Sequence, residues 1–283
     1  MTTIIARSIH FFLAVPGPVC YLVDTRSFFR FFRKNRNMSR FTLAVAIASL
    51  VMIAGAETLR AEGTIKTGFL DKVHKDKEGV EHKYVVFVPH DYKGDKEYPI
   101  ILFLHGSGET KGGKKMPVEA GIGTAIKARE KTFPFITVFP QAEKRPWSAD
   151  SYDGKLAIAI LDDVCKDYKT DKTRTYLTGL SMGGGGTWSH AIKTPERWAA
   201  IVPICGYGDP KQAEKIKDIP CWCFHGDADT AVKVDQSRAF IKALEAAGGK
   251  PKYSEYPGVG HNSWDKAYGT DELYTWLLEQ KKK

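Results

Sequence analysis

An apolar run that halts at a serine between glycines, Thr175-Tyr-Leu-Thr-Gly-Leu-Ser-Met-Gly-Gly184, restricts the folds open to this chain more than any other stretch. Its centre, Gly179-Leu180-Ser181-Met182-Gly183, fits G-x-S-x-G. In that pattern a strand turns into a helix so sharply that the serine backbone is strained and its hydroxyl stands clear. Small residues two before and two after the serine are needed because side chains there would collide across the turn. Five residues also fit a plain glycine-rich loop, so the rest of the chain must decide.

The flanking sequence repeats the strand-then-helix character. Tyr98 to His105 is almost wholly apolar and bounded by glycine, as suits a strand buried on both faces of a parallel sheet. Pro134 to Pro140, Thr173 to Leu180, Trp198 to Ile204 and Ile219 to Phe224 have the same character, and Lys252 to Tyr256 is the last strand expected. Helical periodicity is clearest at Gly154 to Tyr168, Met182 to Ile192 and Val234 to Ala247, with a final helix at Asp271 to Lys281. Gly63 to Leu70 and Lys83 to Pro89, joined by a charged turn at Lys72 to Glu81, read as an antiparallel opening. This alternation predicts one α/β domain, a mostly parallel doubly wound sheet with helices on both faces and an antiparallel N-terminal start. At 283 residues and 43% hydrophobic, the chain can bury such a core.

In sheets of this kind chemistry gathers at the carboxyl ends of the strands. Four such ends carry reactive or turn-forming residues: His105-Gly-Ser-Gly108, Ser181, His225-Gly-Asp-Ala-Asp229 and Gly258-Val-Gly-His-Asn-Ser-Trp264. A serine hydroxyl near neutral pH needs a base, and the base needs an acid to hold its tautomer. His261, in a glycine-flanked loop after the last strand, is the expected base. Asp229 is the expected acid, with Asp227 close by and Asp209 further off as alternatives. A tetrahedral intermediate would need two backbone donors: Met182 for one, and Ser107 or Gly108 for the other. His225 also reads as a packed core histidine. Trp147 and Trp264 are expected to line a pocket or stack on a sugar ring, though either could be core.

The formal charge of +9 is concentrated at the start of the chain. Residues 1 to 56 hold seven Lys/Arg and one acid, which leaves 35 basic against 32 acidic residues in the remainder, so no nucleic-acid partner is called for. Arg30 to Arg40 followed by the uncharged run Phe41 to Ala54 reads as the two parts of a signal peptide, and Ala54-Gly55-Ala56 as its cleavage site. Cleavage after Ala56 is therefore expected, with translation starting at Met38, no stable membrane insertion afterwards, and residues 57–283 as the catalytic domain. An uncleaved anchor helix is the alternative. Export allows one disulfide among Cys165, Cys205, Cys221 and Cys223, with buried apolar cysteines as the alternative. No closely spaced set of ligands calls for zinc. Gly108-x-x-x-x-Gly113-Lys114 imitates a phosphate loop, but Lys115 stands where a magnesium-binding Ser/Thr is required, so no nucleotide cofactor is expected.

Taken together, Leu104-His-Gly-Ser-Gly108, Gly179-Leu-Ser-Met-Gly-Gly184, Phe224-His-Gly-Asp-Ala-Asp229 and Gly260-His-Asn-Ser-Trp264 resemble the α/β-hydrolase superfamily over about residues 64 to 280. More narrowly, they are similar to exported esterases of the feruloyl and acetylxylan type in carbohydrate esterase family one, and to phospholipase/carboxylesterase-like proteins. The resemblance implies the α/β-hydrolase fold and cofactor-free ester hydrolysis on an acyl group of a polysaccharide or small molecule. It also favours the aspartate four residues after His225, which is Asp229. A prolyl-oligopeptidase-like peptidase and a silent binding module of the same fold are the competing readings. The loop Glu109 to Lys115 is more basic than the resemblance leads one to expect.

Overall fold

The computed structural model describes residues 65–113, 115–144 and 146–282, so the leader read at residues 1–56 lies outside the described residues. Eight strands form one sheet in the order β1-β2-β4-β3-β5-β6-β7-β8. The strands are β1 (Gly68–Lys75), β2 (Glu81–Val88), β3 (Tyr98–Leu104), β4 (Ile136–Pro140), β5 (Thr170–Leu180), β6 (Ala200–Ile204), β7 (Trp222–Gly226) and β8 (Lys252–Tyr256). β2 is antiparallel to both β1 and β4, and from β4 to β8 every pairing is parallel. The expected fold class is the one observed.

Alternation along the central strands divides the core in two. Ile100, Leu102 and Leu104 of β3 face one side, where they meet α2 (Tyr152–Asp167), α3 (Met182–Lys193) and α4 (Asp235–Ala246). Ile101 and Phe103 face the other, against α1 (Ile122–Ala128), α5 (Trp264–Gly269) and α6 (Asp271–Glu279). Both faces are buried, which is why β3 reads as a continuous apolar run rather than an alternating one. Helix α2 shows the complementary period: Leu156, Ala157, Ile160, Leu161 and Val164 form its buried stripe, and the Ser151 hydroxyl caps its start by accepting from Gly154 N–H at 3.0 Å.

Two expectations change, and one helix was not anticipated. β1 continues to Lys75, past the charged residues assigned to a turn, and the turn is confined to Asp76–Val80, where Asp76 accepts from the N–H groups of Glu78 and Val80. An edge strand keeps one side in water, so Lys72 and Lys75 do not end it. The disulfide is absent: Cys165, Cys205, Cys221 and Cys223 are all free thiols, and Cys221 and Cys223 pack side by side in one apolar cluster. Helix α1 was not legible at all, because it is seven residues long and begins after Gly121 at φ +58.

The sharp β5–α3 turn depends on two glycines. A Cβ on Gly183 would lie 1.8 Å from the Leu104 carbonyl oxygen, and one on Gly179 would lie 2.3 Å from the carbonyl oxygen of Gly183. Backbone atoms cannot move aside as a side chain can. Gly183→Ala is therefore expected to cost at least about 2 kcal/mol in urea unfolding. Gly269→Ala, which meets nothing within 4 Å, should stay within about 0.5 kcal/mol of the parent. Equal stability of the two variants would contradict this account of the turn.

Candidate active site

Ser181 is the residue between β5 and α3, and its backbone has φ 52 and ψ −115, a region that L-residues rarely occupy. Such a conformation costs on the order of 1–3 kcal/mol and persists only when neighbours over-determine it. Here Ser181 N–H donates to the Ile204 carbonyl at 2.9 Å, and Gly185 N–H donates to the Ser181 carbonyl at 3.0 Å. The turn lifts the hydroxyl clear of the sheet, and it meets His261 Nε2 at 2.9 Å.

His261 hangs from the loop after β8, and its other nitrogen, Nδ1, lies 2.6 Å from Asp229 Oδ2. Asp229 is buried in the turn after β7, where its Oδ1 accepts from the N–H groups of Ala231 at 2.8 Å and Val232 at 3.0 Å. Burial works to raise the Asp229 carboxyl, but the bonds from His261, Val232 and Ala231 outweigh it and hold the group below its ordinary value. Of the three acids considered from sequence, Asp229 alone reaches His261. Asp227 is exposed and accepts from Gly258 N–H at 2.7 Å, closing the turn after β8. Asp209 caps the start of a short 3-10 helix through Lys211 N–H at 3.1 Å.

The remaining strand ends frame this serine. Met182 opens α3, so its N–H has no acceptor within the helix. Ser107 and Gly108 lie exposed in a single 3-10 turn after β3. His105 anchors that loop from beneath. Its Nε2 accepts from Ala142 N–H at 3.0 Å, which leaves Nδ1 to donate to the Gly106 carbonyl at 2.6 Å. Trp147 completes the anchor by donating its indole N–H to the His105 carbonyl at 2.9 Å. With 1% of its surface exposed, Trp147 offers no free face for stacking a sugar. It forms part of the floor of a cavity of about 460 Å³ beside the first turns of α3, with Met182, Gly185, Tyr207, Asp209 and Gln236 around it. Trp264 is half-buried and stands edge-on to the His261 ring, with centroids 5.4 Å apart.

Sequence spacing did not single out Cys205. It follows β6 directly, at φ 39 and buried, and its sulfur lies within 4.8 Å of ligand-type atoms of Asp229 and His261. Two of those three groups already bond each other. Burial pushes the Cys205 thiol up to about 12.

The arrangement can take a proton from a strained serine hydroxyl and hold the resulting imidazolium against a buried carboxylate, which is the chemistry of acyl transfer. A sequence profile of the dienelactone hydrolase family matches residues 74–269. The chain belongs to the dienelactone hydrolase family. The family and the fold are those of hydrolases. The dienelactone hydrolase region is 26% identical over 188 residues to a probable feruloyl esterase C of Aspergillus flavus, covering 65% of this chain and 68% of that protein. It is 24% identical over 172 residues to a bifunctional acetylxylan esterase/xylanase of Neocallimastix patriciarum, covering 60% of this chain but 24% of that larger protein. Among solved structures, a thermostable esterase superimposes with a TM-score of 0.69 at 36% identity, covering 75% of this chain and 63% of the other.

Two buried histidines predict a loss of stability in acid. Burial pushes both His105 and His190 down to about 4. In the unfolded chain they titrate near 6.5, so the unfolded state binds more protons between those values and stability falls as pH falls through that window. Each contributes up to about 3 kcal/mol above pH 6.5. Urea unfolding from pH 7 to pH 4.5 should show falling stability with net proton uptake on unfolding, and a flat profile would contradict it.

Proposed function

We propose that this enzyme is an exported serine esterase that removes acyl groups, acetyl or feruloyl, from a polysaccharide or a related small ester. One observation carries the reading: Ser181 Oγ, held at positive φ, is 2.9 Å from His261 Nε2, while His261 Nδ1 is 2.6 Å from the buried carboxylate of Asp229.

In this mechanism His261 takes the Ser181 proton as Oγ bonds to the ester carbonyl carbon. The oxyanion is met by Met182 N–H and by a donor from Ser107 or Gly108. His261 then passes its proton to the leaving alkoxide, and the acyl group stays on Ser181. Water, deprotonated by the same histidine, bonds to the acyl carbon, the acyl–Oγ bond breaks to release the acid, and His261 returns its proton to Ser181 Oγ. Asp229 keeps its charge throughout and stabilises the imidazolium. Cys205 does not compete as the nucleophile, because a thiol at about 12 carries almost no thiolate near neutral pH. No cofactor takes part.

The acyl choice is supported by the relatives named feruloyl and acetylxylan esterase, and export by the leader pattern of residues 38–56. A fluorophosphonate should label the protein at Ser181, and Ser181→Ala should abolish the label and lower turnover on the order of 10⁴- to 10⁶-fold. A panel of acetylated xylan, methyl ferulate and a prolyl peptide should give turnover on the esters and none on the peptide. An unlabelled Ser181, or turnover confined to the peptide, would overturn the reading.

A further inference from the structure

Asp229 has a second histidine against it. His225 is the penultimate residue of β7, with none of its surface exposed, and its Nε2 lies 3.2 Å from Asp229 Oδ2 and 2.9 Å from the Val232 carbonyl oxygen. A carbonyl only accepts, so Nε2 carries the hydrogen and shares it between that oxygen and the carboxylate. Nδ1 must then accept, and the Ser237 hydroxyl, in the first turn of α4, stands 2.7 Å away to donate. Ser237 in turn lies 3.4 Å from the Cys223 thiol, which donates to its oxygen. Every hydrogen in this buried chain points the same way, from Cys223 through Ser237 and His225 to Asp229.

A histidine used only for packing would be a costly choice here, since a buried imidazole must have both nitrogens satisfied, and an apolar ring would fill the space without that demand. The geometry points to His225 as the positioning residue for Asp229. The two backbone N–H groups of the 231–232 turn pin Oδ1. His225 holds Oδ2, the same oxygen that His261 meets, so the carboxylate is held at both oxygens and does not rotate away from the histidine it serves. The Val232 bond ties the same imidazole to the turn that supplies one of those N–H groups. Thus β7, the turn after it and α4 converge on one carboxylate.

The inference rests on the Ser181–His261–Asp229 reading above. Two variants separate positioning from packing: His225→Phe keeps the ring volume without the donor, and His225→Gln keeps an N–H at similar reach. With p-nitrophenyl acetate, His225→Phe should lower kcat on the order of ten- to a hundredfold, as for a lost bond to a charged group, with KM within about twofold. His225→Gln should recover most of that loss. In proton NMR, the low-field resonance of the His261 Nδ1 hydrogen should move in His225→Phe and stay in His225→Gln. If His225→Phe fails to fold, Ser237→Ala, which frees the tautomer, should still lower kcat several-fold at unchanged KM; wild-type kcat in that variant would overturn the proposal. So would a folded His225→Phe with wild-type kcat and resonance, or a His225→Gln as impaired as His225→Phe. Fluorophosphonate labelling of the parent at Ser181 is the control. Labelling with unaltered variants sinks the positioning role alone, whereas an unlabelled parent sinks the triad reading with it.

Discussion

The strained turn at Ser181 is the constraint on which the rest of the molecule depends. A serine at φ 52 is held there by bonds to Ile204 and Gly185, and the approach of α3 to β3 leaves no room for a Cβ at Gly183. The flanking strands must therefore be paired across the sheet and buried on both faces, because only a rigid sheet can hold such a conformation in place. The alternation of Ile100, Leu102 and Leu104 with Ile101 and Phe103 supplies that rigidity, with a packed apolar layer on each face.

Given a fixed serine, the remaining strand ends have little freedom. β3 must deliver a loop beside the nucleophile, and His105 secures it to the end of β4 through Ala142 while Trp147 ties it to the following loop. β7 must deliver a carboxylate, and β8 a base that reaches both. Gly226 is part of this: a Cβ there would meet the Val259 carbonyl oxygen at 2.2 Å, so the turns after β7 and β8 touch backbone to backbone. That contact brings Asp229 and His261 together although 32 residues separate them. Polar groups so deep in a protein are costly unless satisfied, and the four donors around the Asp229 carboxylate answer that cost.

Much of this was legible in the residues. An apolar run such as Tyr98–Leu104 admits few readings other than a doubly buried strand, and the order of serine, acid and histidine along the chain singles out the strand ends that the structure brings together. What could not be read was three-dimensional by nature. Asp227 and Asp229 are two residues apart in the same turn, and only the path of the backbone decides that one closes a neighbouring turn while the other faces His261. Trp147 looked like a sugar platform because aromatic residues near a site serve either purpose, and its indole N–H proved to be spent on His105. The cysteines suggested a bridge from compartment and number alone, yet they pack as apolar side chains. His225 read as core, and it is buried, but its two nitrogens are both engaged by polar groups.

The central claim is that a covalent acyl group resides on Ser181 during turnover. The most direct measurement is rapid acid quenching of the enzyme during hydrolysis of p-nitrophenyl acetate, followed by mass spectrometry of the peptides. The account predicts an acetyl group on the peptide containing Ser181, accumulating with a burst of p-nitrophenol and absent from Ser181→Ala. Steady hydrolysis with that peptide unmodified, or acetyl found on Cys205 instead, would contradict it.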